Sequence, residues 1–269
     1  MLIDFHVHIL PEKIADKAFG AMQEKVRTVS KIDQPLYYRG TYEALKEKLA
    51  ASKVDLCVPM PIATGISQSQ SINRFAKDIS DGERIISFAS VHPQQPDAIE
   101  TLKEIKALGF IGIKLHPDYQ LTFVDDEKFI RLVKTAGELG LHTTIHAGFD
   151  AGIAPPNRGT VDRMRVLLDK TDASTVTLAH MGGFKQWDEV EQYLVGTKAY
   201  FDTSVVSRFM DIEQYRRIII KHGADRILFG SDLPWEDPAD TLAFLKNAGL
   251  SDEETELITH KNAEKLLGL

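Results

Sequence analysis

The 269-residue chain has a single cysteine, Cys57. No intramolecular disulfide can form, which fits a reducing compartment. Cys57 sits in Val54-Asp55-Leu56-Cys57-Val58, the setting of a buried, unreactive thiol. No apolar run approaches the length that crosses a bilayer. The first apolar strand begins at residue 2, which leaves no room for a charged and apolar leader. A cytoplasmic location is therefore expected, with no membrane partner. Basic runs with interleaved aromatics are also missing, and 32 basic against 39 acidic residues give a net charge of −7. That balance argues against a nucleic-acid partner. Ser/Gly-rich linkers and low-complexity segments are absent too, so one domain over residues 1–269 is expected.

What is present is ordinary core material, 43% hydrophobic and 26% charged residues, arranged in a regular alternation. Apolar strand-like runs are expected near 2–9, 54–59, 85–91, 110–115, 141–145, 175–179, 199–203 and 226–229. Each is followed by a helical pattern, several of them closed by glycine, as at Gly109 and Gly140. Thr41 is placed to cap the helix that begins at Tyr42. Near-continuous apolar strands between amphipathic helices imply a parallel sheet. Eight such units fit an α/β chain folded as a (β/α)8 TIM barrel, with a doubly wound open sheet as the alternative. Residues 31–40, with Tyr37 and Tyr38, exceed a plain connection and are expected to form a flap over the strand ends.

The first strand, Leu2-Ile3-Asp4-Phe5-His6-Val7-His8-Ile9, carries two histidines two positions apart. Side chains alternate along a strand, so His6 and His8 point the same way and form half of a metal site. In a barrel the chemistry lies at the C-terminal ends of the strands. His6, His8, His92, Lys114, His116, His146, His180 and Asp232 all stand there, six of the nine histidines among them. Several imidazoles with a carboxylate suit zinc, iron, cobalt or nickel, whereas magnesium and calcium prefer oxygen ligands.

Four stretches in this order resemble the amidohydrolase superfamily, in the amidohydrolase-related branch that includes aminocarboxymuconate-semialdehyde decarboxylase. They are His6-Val7-His8, Ile145-His146-Ala147-Gly148, Leu178-Ala179-His180-Met181-Gly182-Gly183 and Phe229-Gly230-Ser231-Asp232-Leu233-Pro234. The resemblance implies a metal held by His6, His8, His146 and Asp232. It makes Asp232 the acceptor of a proton from water, and His180 an acid/base or a ligand of a second metal. One divalent transition metal is expected, zinc first, with a second one conceivable through Lys114 and His180. In two-metal members a fourth-strand lysine is carboxylated. The alternative for Lys114 is a pair with a carboxylate such as Asp232, or a contact with an anionic substrate group.

Weaker candidates complete the picture. His116 is read as a pocket-lining residue. Arg158 and Arg208 are candidates to clamp a substrate carboxylate bidentately, against a plain salt bridge for each. Trp235 is expected to wall the pocket. His92 and His142 are read as structural, and His222 and His260 as helix-end cations. The leading expectation is a hydrolase of a small ester, lactone or amide that uses metal-activated water. A non-oxidative decarboxylase of an unsaturated or aromatic acid is the second, and would need an arginine such as Arg158 or Arg208. A metal-binding scaffold without activity is the third; Asp232 and His180 argue against it. A homodimer is the default expectation for assembly.

Overall fold

A computed structural model describes all 269 residues. Eight parallel strands appear in chain order: β1 (Ile3–Val7), β2 (Leu56–Pro59), β3 (Ala89–Ser90), β4 (Gly112–Leu115), β5 (His142–Ile145), β6 (Val176–Leu178), β7 (Tyr200–Asp202) and β8 (Ile227–Leu228). β3 to β8 form a continuous ladder and β1 pairs with β2. Two further sets of hydrogen bonds close the ring. Ile86 N and Phe88 N donate to Cys57 O and Pro59 O, joining β2 to the β3 segment. Phe5 N donates to Phe229 O and Asp232 N to His6 O, joining β8 to β1. The result is the expected TIM barrel, with no open edge.

The helices lie outside. α1 (Glu12–Ser30) and α2 (Tyr42–Ala51) follow β1, and α3 (Ser69–Ile79) follows β2. α4 (Ala98–Ala107), α5 (Glu127–Glu138), α6 (Val161–Lys170), α7 (Trp187–Tyr193) and α8 (Ile212–His222) follow β3 to β7 in turn. α9 (Pro238–Asn247), α10 (Asp252–Glu256) and α11 (Asn262–Leu267) end the chain, the last two joined by a π-turn over Leu257–Lys261. Thr41 caps α2 as expected, accepting from Ala44 N. No helix is long and apolar enough to cross a membrane.

Strand alternation sorts the core into two bodies. Outward residues such as Cys57, Ile113, Ile145, Leu178, Phe201 and Phe229 pack under the helices in one large cluster. A smaller cluster fills the barrel: Ile3, Phe5, Leu56, Val58, Met60, Phe88 and Leu228, with Ala263 and Leu267 of α11 joining it. The C-terminal helix thus plugs the floor of the barrel, while the polar groups collect at the other end.

β1 breaks the alternation once. Asp4 pairs with Cys57 and Val7 with Pro59, so β1 carries one residue more than β2 between those points. Such a bulge re-aims side chains. Ile3 and Phe5 point inward below it and Val7 outward above it. His6 therefore turns into the barrel directly after Phe5, and His8 follows it.

The 31–41 segment lies across the strand ends, as expected of a flap. Gln34 Nε2 donates to Trp235 O (2.6 Å), Tyr37 N to Pro234 O, and the Tyr38 hydroxyl to His8 O. The flap seats on Gly40, whose φ is +75° and where a Cβ would fall 2.1 Å from the Phe19 ring. Only glycine satisfies both conditions.

Candidate metal and active site

The site is built outward from His6, which is fully buried. Its Nδ1 lies 2.9 Å from Asp202 Oδ2 at the end of β7. Asp202 Oδ1 also accepts from His180 N (2.9 Å), Ser204 N and the Ser204 hydroxyl. Burial pushes the Asp202 carboxyl up, but the hydrogen bond from His6 and the positive charge of Lys114 oppose it, and the group is held low and ionised. His6 Nδ1 therefore carries the hydrogen and Nε2 keeps a free lone pair facing the barrel mouth. This carboxylate–imidazole pair is the arrangement that orients metal-ligating histidines.

His8 is locked the same way, its Nδ1 lying 3.1 Å from Met60 O. A carbonyl can only accept, so Nε2 is again the bare nitrogen. Burial pushes the His8 imidazole down to about 3 and lowers that of His6 as well, so both rings are neutral. His6 Nε2 and His8 Nε2 stand 3.2 Å apart. Asp232 Oδ1 lies 2.9 Å from His8 Nε2 and 3.5 Å from His6 Nε2. None of the three atoms has a hydrogen to offer the others, and Asp232 Oδ1 is a buried oxygen without a hydrogen-bond partner. Lys114 Nζ reaches only His6 Nε2 (2.9 Å), so His8 Nε2 and Asp232 Oδ1 still face each other lone pair to lone pair, which is unfavourable in a buried place unless a cation lies between them. The donor set fits a divalent transition metal.

Two local features put Asp232 there. Its own backbone is left-handed, φ 66°, a conformation that non-glycine residues hold only where their surroundings enforce it. Asp4 supplies that enforcement, accepting from Ser231 N (2.9 Å) and Ser231 Oγ (2.5 Å). At Gly230 a Cβ would meet His6 Cβ at 2.9 Å, so glycine lets β8 approach β1.

Lys114 is also fully buried, and its Nζ lies 2.9 Å from His6 Nε2. Burial pushes its amine down to about 8, opposed by Asp202 and Asp232. No carboxylate oxygen lies within 4.0 Å of it, so the expected pairing with Asp232 is replaced by a hydrogen bond to His6.

His146 falls outside the His6–His8–Asp232 group. Its Nε2 faces Phe149 O (3.1 Å) and its Nδ1 faces His180 Nε2 (2.9 Å). Its ring stacks on His116 at 4.0 Å. That engagement turns it from the opening pair, which the expectation of four convergent ligands did not foresee. His180 Nδ1 lies against Ser204 O (3.1 Å) and Ser204 Oγ (2.8 Å). The outer nitrogens of both rings donate to carbonyls and burial keeps both imidazoles low, so both rings are neutral and the facing nitrogens are bare. A second acidic and histidine group, His116, His146 and Asp150, also comes close together. His116 Nδ1 accepts from Tyr119 N (3.3 Å), which places its hydrogen on Nε2, directed at Asp150 Oδ2 (3.2 Å). This is a hydrogen-bonded pair and not a set of free ligands.

The site opens into a cavity of about 420 Å³. His8, His116, His146, Asp150, Asp232 and Trp235 line it, with apolar residues from the β1–α1 turn, α1 and α3. A smaller lobe of about 80 Å³ shares Tyr119, His146, Asp232 and Trp235 and adds His180 and Phe184. A larger cleft of about 560 Å³ lies outside the barrel between α3 and α4 and contains none of the strand-end groups. Trp235 walls the cavity as expected. Arg158 does not reach it: its guanidinium pairs with buried Asp118 (3.4 Å) and lies over Phe123. Arg208 is exposed, touching Gln34 Oε1 at 3.4 Å. Both belong to loops whose course the sequence does not reveal. Asp202 and Asp4 escaped the sequence reading, although each is an acidic residue inside an otherwise apolar or aromatic strand.

The amidohydrolase family profile matches residues 3–269. The chain belongs to the amidohydrolase family. No curated protein matches it. Among solved structures, 2,6-dihydroxybenzoate decarboxylase with bound 2,6-dihydroxybenzoate is similar at a TM-score of 0.71 and 16% identity, covering 100% of this chain and 99% of that one. A dihydroxybenzoic acid decarboxylase from Polaromonas with bound manganese and the inhibitor 2-nitroresorcinol gives 0.68 and 16%, covering 100% and 97%. A probable 2-pyrone-4,6-dicarboxylic acid hydrolase from Acinetobacter baumannii gives 0.69 and 17%, covering 100% and 99%. At these identities the likeness shows the amidohydrolase barrel and not the reaction.

Proposed function

We propose that this amidohydrolase is a metal-dependent hydrolase of a small ester, lactone or amide. The observation that carries the proposal is the convergence of His6 Nε2, His8 Nε2 and Asp232 Oδ1, each stripped of hydrogen, beneath a cavity lined by no lysine or arginine. These three residues would hold the metal. His146 completes the set expected from the sequence only by giving up its contacts with Phe149 and His180. Zinc is the first expectation, and manganese, present in one structural neighbour, the second. When bound, such an ion supplies Lewis-acid chemistry, polarising a carbonyl oxygen and acidifying water.

The chain's own groups do the rest. Asp232, whose carboxyl burial pushes up against the fields of His6, His180 and Lys114, accepts the proton of the attacking water. The proton Asp232 takes is the one returned to the leaving group, with His180 Nε2, bare while Nδ1 donates to Ser204 O, placed to relay it. Asp202 fixes the tautomer of His6. Trp235 and the flap exclude bulk water from the mouth.

The decarboxylase reading has support from the names of two neighbours. It would leave the metal as the sole cation to grip the departing carboxylate, since neither Arg158 nor Arg208 lines the cavity. Metal-replete enzyme, assayed against neutral esters and lactones and, in parallel, for CO2 release from aromatic acids, tests the choice. The Asp232→Asn variant is expected to retain metal by elemental analysis and lose turnover. CO2 release without any hydrolysis overturns the reading.

A further inference from the structure

We infer that the part of the substrate that fills the cavity beyond the metal-ligand group carries no charge: it is an acyl compound with an apolar, neutral body. This rests on the hydrolase reading and deepens it. The cavity wall away from the metal-ligand group is mainly apolar, with Ile9, Ile14, Phe19, Ile62, Ile72 and Phe75 on it beside the uncharged polar Thr64, Gln68 and Ser71. Its charged side chains are two carboxylates, Asp150 and Asp232, and neither lobe is lined by lysine or arginine.

Every nearby cation is engaged elsewhere or turned to solvent. Lys114 is buried against His6. Arg158 pairs with Asp118, and Arg39 with Asp16 and Glu12. Arg208 is exposed beside Gln34, and Lys185 is exposed over the Phe184 and Phe209 rings. An anion held in this cavity away from the metal-ligand group would lose its hydration, gain no lysine or arginine partner and lie near the Asp150 carboxylate. A neutral body loses only water from apolar walls.

A matched pair of substrates tests the inference: phenyl hexanoate, and phenyl 6-sulfohexanoate, which adds a remote anion that ligates metals weakly. With metal-replete enzyme, kcat/KM for the neutral ester is expected to be about a hundredfold higher or more. The Ser71→Arg variant, at an exposed position on the cavity rim, is expected to raise kcat/KM for the sulfonate several-fold at unchanged metal content. Equal or faster cleavage of the sulfonate by the unaltered enzyme overturns the inference and leaves the hydrolase reading standing. If neither ester is cleaved, calorimetric binding of N-phenylhexanamide and its 6-sulfo counterpart still reads the charge preference. Tighter binding of the neutral amide then supports the inference, and tighter binding of the sulfonate overturns it. Rapid CO2 release from 2,6-dihydroxybenzoate overturns the hydrolase reading, and with it the inference that rests on it.

Discussion

Two inward-facing histidines of the same barrel, His8 at the mouth and His142 near the floor, make an instructive pair. Burial pushes both imidazoles down to about 3. Neutrality therefore separates nothing. Their partners do. His142 Nε2 meets Thr177 Oγ1 at 2.7 Å, and its ring packs edge-on against Phe5 and Tyr200. A hydroxyl can donate or accept, so that contact is satisfied in either tautomer. His8 Nε2 instead faces a second bare nitrogen and a bare carboxylate oxygen. One histidine completes a packed layer, while the other leaves a deficit that a ligand must fill. A lowered pKa reports burial, and an unmatched lone pair reports a site.

The sharpest way to break this contrast is to remove each ring in turn. His8→Ala is expected to lose the bound metal and about a thousandfold or more in kcat/KM, with the thermal midpoint of the metal-stripped proteins little changed. Elemental analysis and steady-state kinetics check it. His142→Ala is expected to behave oppositely. It should cost about 3 kcal/mol of stability in urea unfolding, from a cavity and an orphaned Thr177 hydroxyl, at unchanged metal stoichiometry. Metal loss in the second variant, or a stability loss alone in the first, would erase the distinction.

Asp202 sharpens the contrast at one remove. It touches no cavity, yet it decides which nitrogen of His6 is free. Asp202→Asn is expected to lower metal affinity and kcat/KM by about 10- to 100-fold, the usual cost of disturbing a carboxylate behind a ligating histidine. A purely structural Asp202 would move the unfolding midpoint and leave metal affinity alone, so competition with a chelator separates the two roles.

What the sequence disclosed follows the same division. The barrel was legible because eight apolar runs alternate with amphipathic helices, and each pattern depends only on neighbours along the chain. The pairing of His6 with His8 was legible because strand parity is local. The bulge was not, since it exists only against β2, and parity alone would send Phe5 outward. Asp202 and Asp4 offered a readable signal, a carboxylate buried in strand sequence, whose partners lie 196 and 227 residues away. The reach of Arg158 depends on Asp118, across a loop. His222, expected as a cation at a helix end, is buried and stacked 3.9 Å from Phe201. Its Nε2 faces Ala199 O at 2.8 Å, and burial lowers its pKa to about 4. Desolvation there outweighs the helix dipole.

The smallest test concerns another buried group with an unmatched atom, Glu236, four residues beyond Asp232. Its Oε1 accepts from Thr241 Oγ1 (2.6 Å), but Oε2 is buried without a partner. Burial pushes this carboxyl up to about 7, against roughly 4.3 in an unfolded chain. The folded protein thus keeps a proton that the unfolded chain has released, and stability falls as pH rises. The contribution is intact below the unfolded value and is lost as pH climbs through about 7. Glu236→Gln, neutral throughout, is expected to gain about 2 kcal/mol on the wild type between pH 5 and pH 7. Urea unfolding at both pH values checks this. A pH-independent difference would mean that the lone oxygen is matched in solution. An unmatched atom here would then tune stability without marking a ligand site, which confines the diagnostic value of such atoms to places where several converge.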